Sequence, residues 1–370
     1  MRFPEFSGEW ERCKVKDFTK VVAGATPSTS NKEYWGGDIR WMNSGELNLK
    51  RVYEVQGRIT QLGYEKTSTK IIPPQSVLIG LAGQGKTRGT AAINYVELCT
   101  NQSIASILPS DKYYPEFLYQ NIESRYKELR DISSGDGGRG GLNLQMIYNL
   151  NIPYCSISEQ RKIGDFLCLL DQRIETQRKI IEKYESLIRG IYHSCFRNSE
   201  NTIIKLRDVV AIVKGKQVNG ENLLENGQYY VMNGGIEPSG YLNEYNTPAD
   251  TISISEGGNS CGYVQYNKEP FWSSGHCYSL MPKSYNICYR FLYHFLKYKE
   301  NDIMALRIGS GLPNVQKKDL ERFEVQLPSL ERQREVTTLL DAISAKLDLE
   351  RQLHHVWQSQ KQYLLGSLFI

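Results

Sequence analysis

The most regular hydrophobic pattern of the chain occurs twice, in two long segments. In each segment apolar residues recur at alternating steps of three and four, which is typical of a helix that buries one narrow stripe against another helix. The first stripe contains Ile163, Leu167, Leu170, Ile174 and Ile181, and the second contains Val336, Leu340, Ile343 and Leu347. His354 and Lys361 make the second stripe more polar toward its end. Two matched stripes in one chain predict two long helices that pack on each other.

The two helical segments belong to an internal repeat. Gln160-Arg161-Lys162-Ile163 is echoed by Gln333-Arg334-Glu335-Val336, an offset of 173 residues. An apolar residue and a proline precede each copy, at Ile152-Pro153 and Leu327-Pro328. Serines near 158 and 329 supply cap-like residues for the two helix starts.

A globular block rich in Gly, Tyr and short apolar runs lies upstream of each helix. The blocks align loosely, for example Ser76–Gly80 with Thr251–Ser255, and each of these strand-like runs enters a Gly-rich stretch. A helix is predicted near Pro115–Arg130, with a counterpart near Asn286–Lys299. The order is therefore globule, helix, globule, helix, and the different loops of the two globules indicate two related tasks on different ligands or sequences.

Composition narrows the class of protein. Hydrophobic residues make up 40% of the 370 residues, which is enough for folded cores, and the formal net charge is only +4. The chain contains no apolar run long enough for a transmembrane helix, and charges interrupt its N-terminus where a signal peptide needs apolar residues. Eight scattered cysteines without a C-x-x-C motif predict reduced thiols, no zinc site and a cytoplasmic protein.

One segment matches a nucleotide-binding motif. Gly80–Thr87 fits the G-x-x-x-x-G-K-[ST] pattern and follows an apparent strand. A phosphate-binding loop also needs a following helix, but Arg88–Val96 contains a Gly and several β-branched residues and predicts a second strand. The corresponding loop of the repeat, Ser255–Gly262, keeps the glycines and lacks the Lys. We therefore interpret the motif as a Gly-rich hairpin tip.

The loops of the two globules favour DNA binding. No nucleophile elbow, zinc-protease motif or amino-methyltransferase tetrapeptide is present, and the five histidines are too dispersed for a metal set. Arg, Asn and Gln can bind base edges, whereas Lys and Ser suit phosphates. Trp41 and Trp272 are expected in the core. The candidate DNA contacts are Thr26, Ser28, Lys32, Arg40, Asn43, Gln84, Lys86, Arg88, Arg139, Lys216, Gln217, Asn219, Asn233, Asn259, His276, Asn314 and Lys317.

Taken together, the repeat and the loops resemble the specificity subunit of a Type I restriction–modification system. The resemblance covers almost the whole chain. Its most specific parts are Gly24-Ala25-Thr26-Pro27-Ser28, the run Tyr34–Trp41, and the helix starts at 152–163 and 327–336. The second globule lacks the Gly-Ala-Thr-Pro-Ser run.

The resemblance implies an α+β fold: two pseudo-repeated globular α/β target-recognition domains, separated by two long antiparallel coiled-coil helices. The expected bounds are 1–152 and 199–327 for the domains, and 153–198 and 328–370 for the spacer helices. In that family the chain reads a bipartite asymmetric site in double-stranded DNA and performs no catalysis. It holds two modification (methyltransferase) subunits and, in some systems, restriction subunits. The helix stripes are candidate contacts for the modification subunits. S-adenosylmethionine, ATP and magnesium then belong to the partners, and this chain needs no metal.

Three alternatives remain at this stage. The first is a P-loop enzyme at Gly80–Thr87, which Lys86→Ala would test through loss of ATP binding. The second is a coiled-coil adaptor whose globules bind no DNA. In that case substitutions at Arg40, Lys86 or Lys216 would cause no loss of DNA binding. The third is a specificity module detached from a single-chain restriction–modification enzyme.

Overall fold

The computed structural model divides the chain into two compact units. It describes residues 2–83, 87–133, 141–196, 201–283, 287–309, 311 and 313–369. The first unit consists of Met1–Arg178 together with Gln352–Ile370, and the second unit consists of Lys179–Arg351. The C-terminal segment thus packs with the N-terminal part of the chain.

The first unit is built around two sheets and a two-stranded ribbon. Its strands are β1 Glu11–Lys14, β2 Val21–Ala23, β3 Trp35–Met42, β4 Arg51–Val52, β5 Arg58–Ile59, β6 Ile71–Ile72, β7 Val77–Gly80, β8 Ala91–Asn94, β9 Leu98–Thr100, β10 Ile104–Ile107 and β11 Asn151–Tyr154. Its shorter helices are α1 Gln61–Glu65, α2 Pro115–Ser124, α3 Tyr126–Ile132 and α4 Leu144–Tyr148, and the long helix α5 spans Ile157–Phe196. The sheet orders are β2-β10-β7-β8-β4, β5-β3-β9-β6 and β1-β11.

The second unit repeats this plan. Its strands are β12 Thr202–Lys205, β13 Val210–Lys214, β14 Tyr229–Met232, β15 Tyr241–Leu242, β16 Thr251–Ser255, β17 Val264–Asn267, β18 Trp272–Ser273, β19 Cys277–Pro282 and β20 Glu324–Leu327. Its helices are α6 Leu206–Val209, α7 Tyr289–Tyr298, α8 Glu300–Ala305 and α9 Lys317–Arg322, followed by the long helix α10 Leu330–Leu368. The sheet orders are β13-β19-β16-β17, β15-β14-β18 and β12-β20.

The central strands of the first unit are buried on both faces, which explains their continuous apolar runs. Every residue of β7, β8 and β10 is buried. On one face Val77 and Ile79 pack in a core with α2 and α5, whereas on the other face Leu78 packs with Met42 and Leu47. In the second unit the sheet packs on α7 and on parts of α5 and α10. The predicted helices near 115–130 and 286–299 correspond to α2–α3 and α7.

The two long helices pack antiparallel, as expected. Within the first unit, Asp171 of α5 pairs with Lys361 of α10 at 2.6 Å, and Arg173 lies over the Trp357 ring at 5.8 Å. Within the second unit, Arg351 of α10 pairs with Glu185 of α5 at 2.7 Å. Arg332 of α10 lies beside Cys195 of α5 in the second unit. In each unit the contact that lies later on α5 lies earlier on α10, as antiparallel helices require.

Each stripe begins inside the core of one unit rather than against the other stripe: Ile163, Leu167 and Leu170 lie in the core of the first unit, and Val336 and Leu340 lie in the core of the second unit. Ile163, Leu167, Leu170, Val336, Leu340, Ile343 and Leu347 are buried, and Ile174 and Ile181 are half-buried. The cap of α10 is Ser329, whose Oγ accepts a hydrogen bond from the N–H of Arg332. The cap of α5 is Ser156 rather than Ser158, because Oγ of Ser156 accepts from the N–H of Glu159 and α5 already begins at Ile157.

The repeated glutamines fasten the long helices to the globules. Gln160 is buried, and its Oε1 accepts from the N–H of Tyr114, the residue before α2, at 2.8 Å. Gln333 is also buried and accepts from the N–H of Cys288, the residue before α7, at 2.9 Å. The same sequence signal therefore serves the same junction in both units.

The described residues on both sides of the motif Gly80–Thr87 form two paired strands, and residues 84–86 lie outside the described part. Strands β7 and β8 pair antiparallel, with Val77 opposite Ile93 and Ile79 opposite Ala91. Thr87 and the next three residues form a turn and enter β8, so the helix that a phosphate-binding loop requires does not follow. The prediction of a second strand in Arg88–Val96 is confirmed.

Candidate nucleic-acid interface

The two units build the same hydrogen-bonded framework at one edge of the central sheet. The framework bonds of the first unit run from the N–H of Leu81 to the carbonyl of Ser103, from the N–H of Asn101 to the carbonyl of Met42, and from Trp41 Nε1 to the carbonyl of Ala25. The first two bonds have counterparts in the second unit, from the N–H of Glu256 to the carbonyl of His276 and from the N–H of Ser274 to the carbonyl of Met232. The carbonyl of Lys216, which matches that of Ala25, is also bound by a tryptophan, but Trp272 stands on β18 and so donates from a different strand of the plan than Trp41. We call the loops held by these bonds the recognition edge of each unit. Trp41 is buried and Trp272 is half-buried, which agrees with a framework role.

A glycine stands at the same point of each edge for a steric reason. A Cβ on Gly24 would collide with the carbonyl oxygen of Thr100, and a Cβ on Gly215 would collide with the carbonyl oxygen of Ser274. The loop that follows β2 or β13 therefore passes directly over the end of the neighbouring strand, and only glycine fits there.

Side chains of different types occupy matching places on the two edges. In the first unit, the Oγ1 of Thr26 donates to Oε1 of Gln102 at 2.6 Å. In the second unit, Gln217 stands at the position of Thr26, and its side chain covers Gly275, which stands at the position of Gln102. Each edge thus carries one glutamine amide, but the two amides come from opposite loops.

The recognition edge of the second unit also holds a charged group. Lys214 Nζ lies 2.6 Å from Glu256 Oε1, and Tyr278 OH donates to the same oxygen at 2.9 Å. His276 Nδ1 lies 3.4 Å from Glu256 Oε2. Asn233 lies beside them, because its Oδ1 accepts from the N–H of His276 at 3.3 Å.

The electrostatics of this group follow from its geometry. Burial disfavours the ionised form of Glu256, but the hydrogen bonds from Lys214 and Tyr278 and the charge of Lys214 outweigh it, so the pKa of Glu256 lies below its ordinary value. Burial, and then the hydrogen bond to Glu256, raise the pKa of Tyr278. At neutral pH the group therefore contains a carboxylate held by a lysine ammonium and a neutral phenol.

The second unit brings several of the predicted contacts together. Asn314 reaches the edge through a bridge to Gly257, and its neighbour Val315 donates to the carbonyl of Glu256. The candidates near this edge are Lys216, Gln217, Asn233, His276 and Asn314. Asn259 is exposed in the loop between β16 and β17, Asn219 is exposed before a short 3-10 helix, and Lys317 begins α9.

In the first unit the predicted contacts are more scattered. Thr26 is on the recognition edge, and Ser28 follows it, with its carbonyl bound to Trp35 Nε1. Arg40 is held by Glu54 at 3.0 Å on the β3–β5 sheet, so it is engaged within the protein. The other described candidates are Lys32 in a short 3-10 helix, Asn43, which caps the next one, and Arg88, which is half-buried. Gln84, Lys86 and Arg139 lie outside the described residues.

Sequence reasoning missed three residues of the edges. Gln102, Lys214 and Glu256 were not among the predicted contacts, although each stands in a segment of the repeat. Their signal was available only with the correct residue-by-residue correspondence of the two globules. The strand pairing provides it, because Ala23 opposite Ala105 in the first unit matches Lys214 opposite Tyr278 in the second.

Two further observations limit the chemistry of the site. Within the described ranges, no group of His, Cys, Asp and Glu has the arrangement needed to hold a metal ion. A search of the same residues finds no helix that could cross a membrane.

Comparison with known proteins identifies the class. The sequence model of the Type I restriction modification DNA specificity domain matches residues 7–185 and 198–356, which together make up most of the chain. The chain therefore belongs to this family. It is a specificity subunit, the non-catalytic component that recognises the DNA target within a restriction–modification complex containing other subunits.

Individual relatives and solved structures agree with this assignment. The MjaIX specificity subunit of Methanocaldococcus jannaschii is 27% identical over 365 residues, covering 86% of this chain and 83% of the relative. The EcoR124I/EcoR124II specificity subunit of Escherichia coli is 25% identical over 203 residues, or 51% of this chain and 50% of the relative. The crystal structure of the S subunit from M. genitalium has the same fold, with a TM-score of 0.76 at 21% identity over 98% of this chain and 96% of that one.

Proposed function

We propose that the two units read the two halves of a split, asymmetric DNA site, one half each. The proposed target-recognition domains are residues 1–152 and 199–327, and the proposed spacer helices are 153–198 and 328–370. Each domain places its recognition edge against double-stranded DNA. The chain supplies no catalytic residue and needs no metal or cofactor of its own.

One observation carries this proposal: the same backbone framework presents different side chains on its two recognition edges. A shared framework supports a shared task, since the backbone bonds that hold the loops are the same. Different side chains on the framework support different base preferences, because bases are read by side-chain donors and acceptors. Thr26 with Gln102 on one edge and Lys214 with His276 on the other differ in size, charge and donor pattern.

The proposed partners are two modification subunits, and two restriction subunits in a complete complex. S-adenosylmethionine, ATP and magnesium act in these partners, and we place the complex with its DNA in the cytoplasm. The long helices offer surface for such partners on their faces away from the stripe. Leu169, Leu349 and Tyr363 are each more than 60% exposed, and large exposed apolar side chains are available for protein contacts.

The experiment expresses this chain together with a modification subunit in a host that lacks adenine methylation, and maps modified adenines across the genome. We expect a single split motif with two different halves, which disappears when the chain is omitted. Methylation that persists without the chain would contradict the proposal. An assembled complex that methylates nothing would favour the adaptor interpretation instead.

A further inference from the structure

Four matching positions of the two recognition edges differ together. The first unit has Ala23, Leu81, Ser103 and Ala105, and the second unit has Lys214, Glu256, His276 and Tyr278. We call the second set the Glu256 cluster. Small, mostly apolar residues in one unit are thus replaced by a charged, hydrogen-bonded group in the other. At none of the four positions do the two units have the same residue.

The cluster is arranged around one buried carboxylate. Glu256 is 8% exposed, whereas the side chains of Lys214 and His276 are 53% and 60% exposed. Its Oε1 is bound by Lys214 and Tyr278. Its Oε2 is buried and has no hydrogen-bond partner among the described residues, and it faces His276 Nδ1. The exposed donor Lys214 is therefore hydrogen-bonded to a buried carboxylate, and the exposed His276 lies beside that carboxylate.

This arrangement favours a base over a phosphate as the ligand of Lys214. The charge of Lys214 is balanced by Glu256, so the pair as a whole attracts a phosphate only weakly, and a carboxylate close to a phosphate is repelled. The remaining N–H groups of Lys214 are still strong directional donors. Guanine presents two acceptors, O6 and N7, in the major groove, and lysine is one of the side chains that bind them.

The loop beside the cluster is closely packed at Gly234. A Cβ on Gly234 would lie 2.9 Å from the carbonyl oxygen of Gly257, closer than real side chains come. Gly234 also has a φ of 82°, which other residues rarely adopt. Glycine at this position therefore lets the loop pack directly against His276 and Gly257.

We propose that Lys214 recognises a guanine in the half-site read by the second unit, and that Glu256 is the positioning residue that holds Lys214 in place for it. This inference rests on the proposed function, and it adds a residue and a base class to the second recognition edge. The first unit, with Ala23 and Leu81 at the matching positions, reads its half-site without such a donor.

The test uses the whole complex and maps the methylated motif for Lys214→Met, Lys214→Arg and Glu256→Gln. With Lys214→Met we expect one guanine in one half of the motif to become degenerate, with a loss of discrimination of about tenfold or more, while the other half stays unchanged. Lys214→Arg keeps that guanine, because arginine binds the same two acceptors. Glu256→Gln relaxes the same position as Lys214→Met.

Controls separate positioning from stability and base contact from phosphate contact. Glu269→Gln changes an exposed glutamate of the same unit and leaves the motif intact. Both Lys214 variants should keep the thermal unfolding midpoint of the wild type within a few degrees, because the side chain of Lys214 is exposed. The salt dependence of DNA binding by Lys214→Met should stay the same, since a lost phosphate contact would lower its slope by about one.

If the wild type gives a split motif and neither Lys214→Met nor Glu256→Gln changes it, this inference is overturned. The proposed function would still stand in that case. A lower salt slope with an unchanged motif would overturn it in favour of a phosphate contact. Failure of the proposed function is recognised separately, because the wild-type complex itself would then give no split motif.

Discussion

Lys361 offers a sharp test of how the long helices are held in the first unit. It occupies a stripe position of α10 where the pattern of apolar residues is interrupted. Its ammonium lies 2.6 Å from Asp171 of α5 and 2.9 Å from Glu123 of α2, and its side chain is only 13% exposed. A polar residue that seemed to weaken the stripe therefore joins three helices through ion pairs.

The magnitude of a Lys361→Met substitution follows from the partners that remain. Removing one member of a buried ion pair costs about 3–5 kcal/mol when the other charge is left alone. Here Glu123 keeps Lys50 at 3.2 Å, and Asp171 keeps Arg51 at 2.9 Å. We therefore expect a smaller loss of about 2 kcal/mol of unfolding free energy, which for a unit of this size lowers the thermal midpoint by roughly 4–8 °C.

The pH dependence gives the prediction a second signature. Burial opposes ionisation of both groups, but the opposite charges outweigh it, so the pKa of Glu123 is lowered and the pKa of Lys361 is raised. A lowered acid pKa stabilises the fold above the ordinary value of about 4.3, and this contribution is lost as the pH falls through the lowered pKa. A raised lysine pKa stabilises below about 10.4, and that contribution is lost as the pH rises through the raised pKa.

The difference between wild type and Lys361→Met should therefore be constant from about pH 6 to pH 9 and shrink below about pH 5. Thermal unfolding followed by circular dichroism over this range measures it. Gln360→Met, at an exposed position of the same helix in the same unit, is the control and should change the midpoint by less than about 2 °C. Equal midpoints for wild type and Lys361→Met at pH 7 would refute the reasoning.

Three other substitutions test separate parts of the account. Gln333→Ala removes the buried acceptor for the N–H of Cys288. It should lower the unfolding free energy, measured by thermal or denaturant unfolding, by about 3 kcal/mol, because a buried donor is left without a partner; a loss below about 1 kcal/mol would contradict this. Gly215→Ala should destabilise the second recognition edge, since its Cβ meets the backbone at Ser274, and weaker DNA binding in a shift assay would be the readout; wild-type binding would show that the loop can move aside. Four residues inserted after Lys179 in α5 should change the spacer of the methylated motif and leave the bases of both halves unchanged; altered bases would disprove the spacer role.

Much of the fold was accessible from the sequence because it depends on periodicity and repetition. The stripes of Ile163 and Val336 predicted the helix pair, and the echo of Gln160 in Gln333 predicted the duplication. The strand pair flanking Gly80–Thr87 was also predictable, since a Gly and β-branched residues after Thr87 favour a strand over a helix. These signals are local, or recur at a fixed offset, and need no knowledge of distant contacts.

The polar details were not accessible, because they depend on which loops meet. Lys361 looked like a weak stripe residue until α2 brought Glu123 to it. Arg40 was predicted as a DNA contact and stays a prediction, but its ion pair with Glu54 could not be read from the sequence. The contacts of Gln102 with Thr26 and of Glu256 with Lys214 join loops that meet only in the folded chain. Ser156 replaced Ser158 as the cap through a shift of two positions that propensity does not resolve.

The most direct test of the central claim asks whether each unit controls one half of the DNA site. Gln102→Ala in the first unit and Gln217→Ala in the second remove the two matching amides, and the methylated motif of each complex is mapped beside that of the wild type. The account predicts that each substitution alters one half only, and that the two affected halves differ. Changes in the same half, or equal changes in both halves, would contradict it.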